Sequence, residues 1–396
     1  MQKQIVLDNG LTVYLDAKNI GEVGAFLIIN SGHFNDPKPG IAHLAEHIIA
    51  NKTNDEDTTL NYTESNAETS LTRTTYFFQD MLPNHLSYAL SRLMAVFTAP
   101  PDMELFKNEK AVIRHENLNE GTPCHNFFNK SHHMLFPFLM QKWPLPKFHL
   151  NALSGINEKD VENFWQKHYS TNNASLYLVG ELPGTLKSGL KNVEAIKKLG
   201  QTTPKIIFEK EPVLKKKRTL IGKVSENDVA HIVMTYQMPN FMAKHDIRHA
   251  LGLELVIDCL NQDGSPFYRL LRNELNAHSF GSYYQDLYGA AGVFAFDVKT
   301  NKNPLLAEAI WLTYLAKLKE DGISKPKLKT FQNKKEVEYN KQKHGIDFEN
   351  FISNIDNGVN SQEMMHELRK LTVDDAMHVI NFLAKSNYLF SVALPR

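Results

Sequence analysis

Residues 40–53 read GIAHLAEHIIANKT and place two histidines and a glutamate within five positions: His43, Glu46 and His47. On a helix, residues four apart share a face, so the imidazoles of His43 and His47 could meet one ion. Glu46 falls on the adjoining edge of that face, where a carboxylate could reach an attacking water without ligating the ion. Two imidazoles, a carboxylate and an open fourth position suit zinc. In such a site the metal lowers the pKa of water and polarises a carbonyl, while a carboxylate takes the proton. The same letters could also mark a solvated helical face, and only context separates the two.

The order HxxEH inverts HExxH and is the inverzincin signature. It needs a third ligand. Residues 108–120, NEKAVIRHENLNE, offer Glu109, Glu116 and Glu120 on a stretch that reads as helix. Glu109 and Glu116 are seven residues apart, two turns along one face. One could ligate while the other supports a ligand from behind.

These residues must be positioned by strands and helices, and the chain alternates the two. The N-terminus, MQKQIVLDNGLTVYLDAKN, alternates apolar and polar residues around Asn9-Gly10 and reads as a hairpin. GAFLIINSG reads as a strand, and GIAHLAEHIIA follows it with Ile41, Leu44, Ala45 and Ile48 at helical spacing. TRTTYFFQDML is β-branched and aromatic, hence strand. HLSYALSRLMAVFTAP and DMELFKNEKAVIRHENLNE read as helices, and NASLYLVGEL closes the half as a strand. The next stretch is polar, Lys-rich and punctuated by Pro and Gly, and reads as a linker over 186–216; the Lys215–Arg218 run at its end reads as solvated linker rather than a recognition patch. The pattern then restarts: DVAHIVMTYQM as strand, IRHALGLELVIDCL and SPFYRLLRNEL as helices, GAAGVFAFDV as strand, and NYLFSVALP echoing NASLYLVGEL. Two halves of similar order suggest an internal duplication. The expected division is 1–185, a zinc-binding domain, then the linker, then 217–396.

With 396 residues, 42% hydrophobic and 22% charged, the chain is long enough for two globular domains with large cores. Lys+Arg and Asp+Glu balance at 44 each, which gives no electrostatic reason to expect nucleic acid or an anionic membrane as partner. The two cysteines, Cys124 and Cys259, lie far apart and suggest neither a disulfide framework nor a CxxC site. That usage, with no signal-peptide pattern and no apolar run of membrane-spanning length, leads to a cytoplasmic expectation.

The chain resembles the pitrilysin/insulinase metallopeptidases, especially the short two-domain members related to mitochondrial processing peptidase. GIAHLAEHIIANKT looks like the family's zinc helix. SNAETSLTRTTYFFQDML looks like its strand containing Asn-Ala-x-Thr and a later Thr-x-Tyr, NEKAVIRHENLNE the segment with the distal glutamate, FWQKHYSTNNASLYLVGEL the end of the first domain, and GSPFYRLLRNELNAHSF the second-domain helix and loop. The resemblance implies an α+β fold of two similar domains. Each is a mainly antiparallel sheet packed against helices, together forming half of a clamshell chamber. It maps His43, His47 and Glu116 onto the Zn2+ ligands, Glu46 onto the general base and Glu109 onto a supporting glutamate. Asn66 and Ala67 map onto a sheet edge that pairs with an extended peptide, a mode that binds through backbone bonds. The segment from His47 to Glu116 is somewhat short for the family, which leaves Glu120 as a fallback ligand.

The second half departs from the pattern. The family follows an arginine with Gly-Leu-x-Tyr, and that Arg and Tyr hold the substrate carbonyl. Here Arg272 is kept, the loop is a residue shorter, Asn276 stands near the glycine and His278 near the tyrosine, with Tyr283 and Tyr284 as alternatives. The implied activity is zinc endopeptidase action on short or unstructured peptides, a leader or signal peptide among them. The implied assembly is a homodimer or a heterodimer with a related chain. The rival reading is a subunit that cleaves nothing without its partner.

Overall fold

The computed structural model describes residues 2–53, 64–120, 122–141, 152–204, 208–225, 228–287, 291–343, 359 and 361–396. The strands are β1 Gln2–Val6, β2 Thr12–Ala17, β3 Val23–Ile29, β4 Glu64–Thr69, β5 Thr74–Met81, β6 Ala174–Gly180, β7 Arg218–Val224, β8 Ala230–Met238, β9 Ser279–Leu287, β10 Ala291–Thr300 and β11 Tyr388–Pro395. The helices are α1 Ile41–Thr53, α2 Leu86–Thr98, α3 Phe106–Glu120, α4 Pro123–Leu135, α5 Pro137–Gln141, α6 Glu158–His168, α7 Leu186–Ala195, α8 Ile247–Asn261, α9 Pro266–Asn273, α10 Pro304–Asp321, α11 Lys325–Lys343, α12 Ser361–Lys370 and α13 Val373–Lys385. They form two compact units: Met1–Gly121, Lys142–Ile207 and Gln342–Ile346 in the first, and Thr122–Gln141, Phe208–Lys341 and Asp347–Arg396 in the second.

The first unit is built on a six-stranded sheet of order β1-β2-β6-β3-β5-β4. Every pairing is antiparallel except β2 with β6. The β1–β2 turn follows the sequence signal: Gly10 sits at φ 82°, open to glycine without strain. The Asn9 amide ties the turn to α7 by donating to the carbonyls of Val193 and Ile196, each at 2.8 Å. Strand β3, VGAFLII, is buried along its whole length, as a continuous apolar run in a central strand should be. Helices α1, α2 and α6 cover this sheet with Leu44, Ile48, Leu90, Leu93, Phe164 and Trp165 in one core.

The second unit holds a five-stranded sheet, β7-β11-β8-β10-β9, again antiparallel except for one pair, β7 with β11. Its core gathers on α8, α10 and α13 around Trp311, which stacks on Phe296 and donates from Nε1 to the Tyr236 hydroxyl at 2.7 Å. The opposite face is covered by α4, where Phe127 meets Val224 and Ala393 and the Ser131 and Ser391 hydroxyls lie 2.8 Å apart. Helices α4 and α5 thus pack with the second unit, although they fall inside the first half of the sequence. Within 186–216, read as linker, α7 is a regular helix whose Val193 is buried in the first core. No helix among the described residues is long and apolar enough to cross a membrane.

Candidate metal centre

Helix α1 is buried on nearly every side, which is why its sequence is so apolar around two imidazoles and one carboxylate. Its entry is set by Asp36, whose carboxylate accepts from the backbone N–H of Gly40 at 2.8 Å and of Ala42 at 2.7 Å. An anion there satisfies first-turn amides and complements the positive end of the helix.

The i,i+4 spacing brings the two imidazoles together: His43 Nε2 and His47 Nε2 lie 3.1 Å apart. Helix α3 supplies the third group, with Glu116 Oε2 at 3.5 Å from His43 Nε2 and 3.6 Å from His47 Nε2. These three donors are the metal-competent group found among the described residues. Zinc bonds of about 2.0–2.1 Å in a tetrahedron require ligand atoms about 3.3 Å apart, so both the donor chemistry and the spacing fit zinc. Glu116 is half-exposed, whereas the His47 ring is mostly covered.

Behind these three groups, His47 Nδ1–H donates to Glu109 Oε2 at 3.0 Å. That bond fixes the tautomer, so the Nε2 lone pair faces the site. Asn51 holds the pair together, donating to the His47 carbonyl at 2.9 Å and to Glu109 Oε1 at 3.3 Å. Glu120 ends α3 in the described backbone, but its side chain lies outside the described residues.

Glu46 points elsewhere. It is 6% exposed, and its Oε2 accepts from the Thr69 hydroxyl at 3.1 Å, while lying 3.9 Å from His43 Nε2. Burial pushes its carboxyl up to about 7, against the pull of His47 and the Thr69 hydrogen bond. Thr69 ends β4, the outermost strand of the first sheet, so the carboxylate stands between the imidazoles and that edge. Asn66 and Ala67 lie in the middle of β4, opposite Phe77 and Tyr76. Asn66 is exposed, and its Oδ1 accepts from the Ala67 amide at 2.8 Å.

The family comparisons bear on this arrangement directly. Residues 12–125 match the model described as insulinase (peptidase family M16), and residues 155–335 match the model described as peptidase M16 inactive domain. The chain belongs to the insulinase family of peptidases. Among curated proteins, none matches it at the sequence level. Among solved structures it is similar to a protease from Helicobacter pylori, with 20% identity, TM-score 0.80 and full coverage of both chains. It is similar to a peptidase M16 inactive domain from Pseudomonas fluorescens, with 14% identity, TM-score 0.74, and coverage of 100% of this chain and 98% of that one. It is also similar to pitrilysin, with 18% identity, TM-score 0.69, and coverage of 100% of this chain and 45% of that one. At these identities the structural likeness speaks for the two-sheet α/β fold.

In the second unit of this M16 chain, Arg272 and His278 flank one turn. Arg272 Nη1 donates to the carbonyls of Ala277 at 2.6 Å and His278 at 3.3 Å. Its guanidinium also lies over the rings of Tyr268 and Phe280, which open and close the same segment. Asn276 takes a left-handed conformation at φ 48°, one that asparagine tolerates and most residues do not. The ring of His278 is exposed at the start of β9. Tyr284 packs partly into the core, and Tyr283 is 45% exposed.

Three contributors escaped the sequence reading. Thr69 and Asn51 are two of them. His33, whose ring centroid lies 6.1 Å from that of His43 and whose charge acts on Glu46, completes the set. Asn51 was findable, since it stands one further turn along the His43–His47 face. Nothing in spacing ties Thr69 or His33 to the helix: strand pairing places Thr69, and His33, in a 3-10 turn, is held by its N–H donating to the Ser70 carbonyl at 3.1 Å.

Proposed function

We propose that the protein is a zinc endopeptidase for short or unstructured peptides, with His43, His47 and Glu116 holding the metal and Glu46 as the base. The convergence of two imidazoles and Glu116, with Glu46 alongside but turned away, carries this reading. Zinc, when bound, would supply a Lewis acid for the peptide carbonyl and for the attacking water. Glu46 accepts a proton from that water at Oε2 and passes it to the leaving amine. The Thr69 hydroxyl keeps that oxygen in place between the ligands and β4. Glu109 holds the proton on His47 Nδ1. The open edge of β4 would take the substrate as an added strand, aligning it by backbone bonds and selecting for extended, flexible chains. We assign the metal chemistry to the sequence of the first domain, 1–185, and we propose that 217–396 completes a chamber, as a homodimer or with a related chain. Cys124 and Cys259, both thiols rather than half-cystines, support a reducing compartment, for which the cytoplasm is the proposal.

A second reading has its own support. Arg272 is engaged by its own turn, and the C-terminal match is to a domain described as inactive. On that reading the chain is the zinc-bearing member of an unlike pair and is inactive until its partner supplies a carbonyl-holding group. Cleavage of a quenched flexible peptide by zinc-loaded protein separates the two. Turnover by the chain alone, lost in Glu46→Gln with zinc retained, supports the first reading. Turnover only after a related chain is added supports the second. Hydrolysis undiminished in Glu46→Gln would refute both mechanisms.

A further inference from the structure

A second group of reactive side chains lies in the second unit, unrelated to the metal ligands. Cys124 stands in the first turn of α4, where Thr122 caps the helix by accepting from the His125 N–H at 3.2 Å. Its Sγ lies 3.7 Å from His231 Nδ1 on β8. The other ring nitrogen, His231 Nε2, is hydrogen-bonded to Asp297 Oδ2 on β10. Asp297 pairs across from Val233, two residues along β8 from His231, so the two side chains lie diagonally on one face of the sheet. The side chains of His231 and Asp297 are 13% and 26% exposed and Cys124 is partly exposed, so a small reagent can reach the thiol.

Three further contacts hold this geometry. The Phe128 ring lies 4.5 Å from the His231 ring, Phe127 closes over Gly222 with no room for a Cβ, and Ser131 meets Ser391. Nucleophile, imidazole and carboxylate thus stand in the order that activates a cysteine: the carboxylate accepts a hydrogen bond from Nε2–H and orients the ring, leaving Nδ1 to accept the thiol proton. The adjacent helix terminus and the imidazolium so formed both favour thiolate over thiol. Among the described residues, the charged and titratable groups around the cluster are Lys299, cross-strand from His231, Tyr283 beside Asp297, and His125, the residue after the cysteine on an exposed side of α4. The peptidase chemistry proposed above uses none of them.

We propose that Cys124, His231 and Asp297 form a nucleophilic thiol site at which a low-molecular-weight disulfide is exchanged into a mixed disulfide. Sγ of Cys124 attacks one sulfur of the disulfide; the new S–S bond forms as the old one breaks. The departing thiolate collects the proton that His231 took from Cys124. One thiol is oxidised and half of the small disulfide is reduced, so no other oxidant is needed. Cys259 provides the internal contrast: it is buried, and burial pushes its thiol up to about 11.

The test follows thiol release from dipyridyl disulfide and adduct mass with oxidised glutathione, on the full zinc-loaded chain. Near pH 6, one equivalent should react and map to Cys124, unchanged in Cys259→Ser and absent in Cys124→Ser. His231→Gln should slow the reaction near pH 6 by about tenfold, yet match wild type near pH 10, where the thiolate forms without help. Asp297→Asn should slow it by less, with the same recovery, and decides the matter should His231→Gln fail to fold. Equal rates in wild type and both variants near pH 6, or no reaction at Cys124 before unfolding, would overturn the proposal.

Discussion

In the first unit the helix after the central strand, α1, faces α3 through His43 and His47 on one side and Glu109 and Glu116 on the other. In the second unit the helix after the matching strand is α8, and the helix in the place of α3 is α11. These meet through Lys334 with Asp258 at 2.7 Å and Lys335 with Glu254 at 2.8 Å. The two sheets share one connection pattern over five strands, with a single parallel pair at the same place in each. The same helix–helix seam therefore serves two ends. Opposite charges on long, partly exposed side chains make a solvated latch worth under about 1 kcal/mol a pair. Two imidazoles and a half-exposed carboxylate, converging on one point, make a group that could hold a metal ion. Buried Glu46 in α1 has its counterpart in the packing residues of α8, where Leu251, Leu253 and Leu255 are fully or almost fully buried. Gly252 lets the backbone of Asp375 approach so closely that a Cβ would sit 2.8 Å from its carbonyl oxygen.

The contrast breaks most completely at the ligands. His43→Ala, His47→Ala and Glu116→Gln should each lose zinc and with it all measurable hydrolysis, by metal analysis and a quenched-peptide assay; Glu120→Gln should keep both. Zinc retained in Glu116→Gln and lost in Glu120→Gln would move the third ligand along α3. Glu46→Gln should keep the metal and fold while turnover falls by about 10²–10⁴-fold, the range for loss of a general base. Glu109→Gln should weaken zinc affinity by about 10–100-fold, less than the loss of a ligand, because it releases only the His47 tautomer and orientation. Equilibrium competition with a chelator measures it.

The second unit should respond more weakly. Arg272→Ala frees the 276–278 turn, so turnover should fall with zinc still bound, and light scattering should report whether assembly falls with it. A fully active variant with unchanged assembly would confine Arg272 to holding its turn. Lys335→Ala, at the seam between α8 and α11, should cost under about 1 kcal/mol in denaturant unfolding and leave zinc content unchanged. A zinc loss there would mean that the two seams are not separate.

Much of this was legible from residues alone. The i,i+4 histidines predict a shared face only if the segment is a helix, and the apolar run Ile41–Leu44–Ala45–Ile48 makes it one. The echo between NASLYLVGEL and NYLFSVALP marks β6 and β11, which occupy matching sheet positions. Other features depend on contacts between distant segments. Thr69 reaches Glu46 only because β4 lies beside α1. The placement of α4 on the second sheet follows from Phe127 and Ser131 finding Val224, Ala393 and Ser391, partners about a hundred residues or more along the chain. Cys124 reads as a lone cysteine until that packing sets it against His231.

The central claim is that the seam of the first unit, and not that of the second, binds one zinc ion. Anomalous diffraction at the zinc edge, on crystals of the zinc-loaded protein, tests it most directly. The account predicts one strong peak per chain, bounded by Nε2 of His43, Nε2 of His47 and a carboxylate oxygen of Glu116. A stoichiometric zinc peak elsewhere, or zinc-loaded crystals with none between these three side chains, would contradict it.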